Sequence, residues 1–174
     1  MSAATVYISE SNGAGEVVTD NISNINFGSV DQPNIVAANH PIIQSENSYF
    51  KMLRFKVQSL GTSTTIKDLR LWKSAGVYVT GEFIKVVDNA AGFAYVQPTQ
   101  VATPNPPFNA VANIRTSDPG SAIIAIGGAT GNNFPANVAV PGYSNYTVMQ
   151  LVTTGSTPVG PVNQKTLTFQ YDET

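Results

Sequence analysis

The sequence predicts an all-β protein, an antiparallel β-sandwich of the Ig-like or jelly-roll kind with long loops and extended arms. Apolar and polar residues alternate at period two, most clearly where Leu53, Phe55 and Val57 interleave with Arg54, Lys56 and Gln58; that is the pattern of a strand with one buried face. β-Branched and turn-forming residues abound while strong helix formers are scarce, so local preference favours strands. No stretch carries a helical period with caps, and turn signals recur between short apolar runs, as in a sandwich of about nine or ten strands.

The elements follow in order. Residues 3–9 read as a first strand and "NGAGE" as a loop, since Asn12-Gly13 and Gly15 favour positive φ. Residues 22–30 alternate, with Ile25 and Phe27 on one side, and are expected to form a half-buried strand. Pro33 and Pro41 interrupt 31–46, which reads as an edge segment or arm. Residues 51–58 and 65–73 form the clearest pair of strands, joined by the turn "GTSTT". A third run spans 77–87 with a bulge expected at Gly81, and a weaker one spans 93–97. Four prolines make 98–110 a loop or arm. Short strands are expected at 111–115 and 122–128, a long loop at 129–145, and closing strands at 146–154 and 165–173. One sandwich domain spans 1–174, with a candidate arm at 1–20 and long loops at 31–46, 98–110 and 127–145.

Charge is sparse and segregated. Only 11% of residues are charged, against about 25% in an ordinary domain, which suits an exterior covered by neighbours. Residues 1–50 hold five acids and no Lys or Arg, whereas 51–85 hold seven of the nine basic residues. Such complementarity can act within the fold or between copies. The start has neither a basic n-region nor a long apolar run, so no secretory leader is expected, and no apolar run of about 18 residues predicts a membrane span.

Little points to catalysis. With no cysteine and the single histidine His40, thiol chemistry and a one-chain histidine metal cluster are excluded. No Gly-x-Ser-x-Gly elbow accompanies His40. Glu10, Glu16, Glu46, Asp68 and Glu82 are carboxylates without the spacing that would mark an acid–base pair. "GGATGNN" lacks the Lys-Ser/Thr ending of a phosphate cradle. The expectation is a non-enzyme with no cofactor and no metal. Nucleic acid is not expected either, because the aromatic Phe55 falls on the face opposite Arg54 and Lys56 and the net charge is −2.

The stretches "VYISESNGAGEVVTDNISNINFGSVDQPNI" and "SYFKMLRFKVQSLGTSTTIKDLRLWKS", with the closing "LTFQYDET", resemble small β-sandwich structural proteins of tailed bacteriophage virions, of the capsid decoration or cement type or the tail and neck accessory type. The resemblance covers the N-terminal half and the last strand. It implies a virion protein assembled in the host bacterial cytoplasm, with the major capsid protein or other virion proteins as partners and homo-oligomers, trimers among them. No individual functional residue carries over from it. In that role the basic residues Lys51, Arg54, Lys56, Lys67, Arg70 and Lys73 would form the protein interface, meeting acidic surface on the shell or on another copy. The alternative is a carbohydrate-binding or host-recognition module, with Trp72, Tyr78, Tyr143 and Tyr146 as its platform beside Tyr95. A hydrolase would need a carboxylate pair or His40.

Overall fold

A computed structural model describes residues 3–90, 94–100, 112–121, 123–124, 133–135 and 142–174. Its strands, in chain order, are β1 (Thr5–Asn12), β2 (Val17–Thr19), β3 (Lys51–Ser59), β4 (Thr65–Ala75), β5 (Phe83–Ala90), β6 (Ala112–Asn113), β7 (Asn133–Pro135), β8 (Gly142–Tyr143), β9 (Tyr146–Val152) and β10 (Thr166–Glu173). A 3-10 turn at Ala37–Asn39 is the only helical element among the described residues. The expected all-β antiparallel sandwich is the observed class. One sheet of seven strands runs β2-β1-β3-β9-β5-β6 with β8 also on β3, and a smaller sheet runs β10-β4-β7.

Period-two alternation decides which side chains meet between the sheets. Leu53, Phe55 and Val57 of β3 point inward with Ile84 and Val86 of β5 and Met149 and Leu151 of β9. Leu69 and Leu71 of β4 and Leu167, Phe169 and Tyr171 of β10 come from the small sheet. The Phe55 ring, 2% exposed, meets the edges of Phe169 and Tyr171 at centroid distances of 5.5 and 6.4 Å. A second apolar cluster of Phe50, Met52, Val87, Tyr146 and Val148 covers part of the other face of the large sheet.

The two sides of the sandwich differ. Beyond β6, Ile114 N–H donates to Ile84 O (2.9 Å) and Lys73 N–H donates to Arg115 O (2.8 Å), so the chain stitches β5 to β4. On the other side β10 has β4 as its only neighbouring strand among the described residues. Strands β8 and β9 behave as one strand with a break: Ser144 Oγ accepts from Phe55 N–H (2.9 Å) in place of a main-chain carbonyl.

Several elements depart from expectation. Residues 22–30 lie in no strand: Asn21 at φ +56° turns the chain after β2, and the segment bonds irregularly to Ile8, His40 and Tyr49. Its Ile22, Ile25 and Phe27 still pack on the core, so the apolar side was legible although the ladder was not. The run at 77–87 becomes a strand only from Phe83. Gly81, at φ +73°, sits in a tight turn, not a bulge, because Glu82 N–H bonds Val79 O (3.1 Å) while its carboxylate accepts Val79 N–H (3.0 Å). A Cβ there would stand 2.0 Å from Thr154 Oγ1. Residues 94–97 form no strand, and Tyr95 and Val96 pack on the outer apolar cluster instead. The loop expected at 129–145 contains β7 and β8. Of the run at 122–128, Ile123 and Ile124 are described and are not strand; most of 98–110 lies outside the described residues.

Candidate functional site

The antiparallel β1–β3 register fixes the surroundings of the basic residues. Ser9 lies opposite Arg54, Tyr7 opposite Lys56 and Ser11 opposite Met52, which places them together on the outer face of the large sheet. The β1–β2 hairpin then delivers Glu16 and Asp20 to that face. Arg54 Nη2 donates to Glu16 Oε1 at 3.0 Å, and Lys56 bonds Asp20. The Arg54 guanidinium lies 4.2 Å from the Tyr143 ring centre and 4.4 Å from that of Tyr146, a stacking worth about 0.5–2 kcal/mol. Tyr146 OH donates to Glu16, and Ser11 Oγ donates to the same oxygen at 3.1 Å. Tyr95 stands beside Tyr146 and donates to Gly13 O at 2.7 Å.

The electrostatics follow from this packing. Burial, then the hydrogen bond to Glu16, pushes the Tyr146 phenol up to about 12, so it stays a donor at neutral pH. Burial also raises Tyr95, with Asp31 and Glu16 adding to it. At Asp20 partial burial acts upward, but the hydrogen bonds from Lys56 and Ser9 outweigh it and hold the carboxyl below its usual range.

The other basic residues are spread over different places. Lys51 has the parity of Leu53, not of Arg54; it is buried at the end of the core, donating to Glu10 Oε1 (2.7 Å) and Gln32 O (2.8 Å). Glu10 is fully buried, and that burial, only partly offset by Lys51, raises its carboxyl above the ordinary value. Arg70 lies on the outside of the small sheet with Asp172 at 2.8 Å and Asp118 at 3.4 Å. Lys73 is buried, donating to Gly76 O at 2.5 Å and lying 5.0 Å from the Tyr78 ring centre. Lys67 makes no ion pair among the described residues.

The six basic residues therefore do not share one face, and five are paired within the chain. The aromatic candidates are separated as well. Tyr143 and Tyr146 stack on Arg54, Tyr78 packs against the core, and Trp72 pairs with Thr168 on β10. His40 is half-buried, with its carbonyl accepting Ser29 N–H. Glu82 is buried against Lys165 and the Val79 amide. No group of three or more potential metal ligands occurs among the described residues.

Two features were not visible in the pattern of residue types. The first is the edge position of β10, an eight-residue strand. Alternate N–H and C=O groups of such a strand turn away from its one neighbour, and its inward-facing Leu167, Phe169 and Tyr171 are all only half-buried. Beside it opens a cleft of about 470 Å³, between β10 and the irregular segment 22–27, floored by Ile84 and Leu151. The second is an apolar end. Gln44 Nε2 donates to Gly155 O (2.9 Å) and Thr157 O (2.7 Å), gathering loops where Ile43 and Val159 are 63% and 89% exposed. No helix among the described residues is long and apolar enough to cross a membrane. Comparison with known protein families, curated proteins and solved structures yields no match.

Proposed function

We propose that this chain is a non-enzymatic structural protein of a tailed-bacteriophage virion, a capsid decoration or cement protein that binds the outer lattice of the shell. The observation that carries the reading is the edge of β10, paired only with β4 among the described residues, beside a cleft of mixed apolar and polar lining. An edge strand offers a row of main-chain donors and acceptors to an extended segment of a partner, and alternate pockets read its side chains. Such pairing needs no free charge, which suits a chain whose basic residues are mostly occupied within the fold. Repetition over a lattice makes weak single contacts effective. A sandwich without cysteines also assembles in a reducing cytoplasm, where disulfides do not persist. The resemblance of the N-terminal half and last strand to virion sandwich proteins points the same way. The partners would be the major capsid protein, or other virion proteins, and further copies of the chain.

Co-sedimentation with purified shells and, separately, with tails tests the proposal. Thr168 and Gln170 register with Trp72 and Arg70 on the outside of the small sheet. Lysines there blunt an edge without touching the core. The Thr168→Lys/Gln170→Lys variant should stay folded, losing about 1–2 kcal/mol from the Thr168–Ser74 hydrogen bond (2.7 Å) and from the lysine opposite Arg70, and bind shells about tenfold more weakly or worse. Equal shell binding by the variant would overturn the edge as the attachment device. Binding to tails and not shells, or to neither, would overturn the decoration role.

A further inference from the structure

A separate cleft lies away from the β10 edge. Residues 45–49 face residues 97–100 across about 690 Å³, within the range of small-molecule sites. Its walls are cross-linked. Asn47 Nδ2 donates to Gln100 O (3.5 Å), Gln100 Nε2 donates back to Asn47 O (3.3 Å), and Phe50 N–H donates to Thr99 O (3.0 Å). These bonds draw on the amide NH2 groups and leave the amide oxygens. Asn47 is only 9% exposed. The Tyr49 ring and Pro98 supply apolar surface, and Glu46 and Gln97 stand exposed at the rim.

The chemistry of this lining selects a ligand class. No Lys or Arg lines it and one carboxylate does, so an anion is disfavoured. An apolar ligand would cover the amide oxygens of Asn47, Gln97 and Gln100 without partners, at about 1–3 kcal/mol each. A polyhydroxylated neutral ligand satisfies both conditions: its hydroxyls donate to the amide oxygens, and its C–H faces lie against the Tyr49 ring. We propose that this cleft binds a neutral saccharide, with Tyr49 as the stacking surface and Asn47, Gln97 and Gln100 as the hydroxyl-reading groups. The site is independent of the virion role and uses none of the aromatic residues that the sequence singled out.

Saturation-transfer NMR with lactose, cellobiose and diacetylchitobiose as probes, and sialyllactose as the anionic control, tests it on the full chain. At least one neutral disaccharide should show transfer at millimolar concentration, with sialyllactose no better than its neutral core. Tyr49→Ala and Gln97→Ala should each weaken that binding about tenfold. Gln97 is exposed, so its variant should melt with the wild type, which separates loss of binding from loss of fold. Absence of transfer from all three neutral probes, or transfer unchanged in both variants, would overturn the site. Shell attachment of Tyr49→Ala should equal that of wild type, so the saccharide site and the virion role fail separately.

Discussion

Replacing Lys51 by methionine removes one partner from the most buried ion pair described in the molecule. The two side chains are 2% and 0% exposed, and Glu10 Oε2 already lacks a hydrogen-bond partner. Methionine fills much of the lysine stem's volume, so the packing loss is small. What remains is a buried carboxylate stripped of its 2.7 Å ammonium contact. Breaking such a pair from one side costs about 3–5 kcal/mol. For a domain of this size that corresponds to a drop of roughly 6–20 °C in melting temperature. The double variant Lys51→Met/Glu10→Leu leaves no orphaned charge and should fall within about 1 kcal/mol of wild type. The pH dependence carries its own sign. Glu10 binds its proton more tightly folded than unfolded, because burial raises it above 4.5. Its contribution is therefore most favourable below 4.5 and declines as pH climbs through the raised folded value. Without Lys51 the carboxyl rises further, so the decline should extend to higher pH in the variant than in wild type. Urea unfolding of all three proteins at mildly acidic and neutral pH measures both effects. A Lys51→Met cost under about 1 kcal/mol at neutral pH, with a wild-type pH profile, would refute the reasoning.

Gly76 lies at φ +85°, and a Cβ there would approach Gln164 O to 2.3 Å. Gly76→Ala should thus cost about 2–4 kcal/mol, against roughly 1 kcal/mol for Gly120→Ala, where φ is equally positive but nothing lies within reach. Urea midpoints of the two variants would show the difference, and equal midpoints would refute the clash. Shell attachment through a neutral strand edge should be nearly insensitive to salt, since five of the six basic candidates are occupied internally. A steep loss of co-sedimentation between low and molar salt would instead reveal charge pairing across the interface.

The strands whose two faces differ were legible from the chain alone. β3 and β4 bury Leu53, Phe55 and Val57, and Leu69 and Leu71, between more exposed neighbours, and period two records that directly. β9 is buried on both faces and β10 is half-buried between its exposed ends, so alternation located those strands without giving their burial. Residues 22–30 show the limit of the signal: Ile25 and Phe27 are placed by the core, but alternation cannot tell whether the backbone finds a ladder. Gly81 shows another. Its positive φ was foreseeable, but the Glu82 carboxylate that makes the position a turn is a contact and not a pattern. Lys51 belonged to the inner parity of Leu53 from the start. Its burial depends on Glu10, forty-one positions earlier, which no local window reveals. The cleft between residues 45–49 and 97–100 left no trace either, because Asn47, Tyr49 and Gln100 meet only through the pairing of two irregular segments.

The segregation of charge is the feature whose meaning changes most once the fold is known. An acidic first fifty residues and a basic next thirty-five would suit two molecules attracting each other. Antiparallel pairing of β1 with β3 brings the two signs together in one molecule instead, and the β2 hairpin folds Glu16 and Asp20 over Arg54 and Lys56. The tyrosines follow from the same arrangement: an arginine held by Glu16 presents a fixed plane on which Tyr143 and Tyr146 stack. Charge in this chain thus fastens its own N-terminal hairpin to β3 within the large sheet. The proposed contacts with partners accordingly use a main-chain edge and an amide-lined wall, neither of which draws on these internally paired charges.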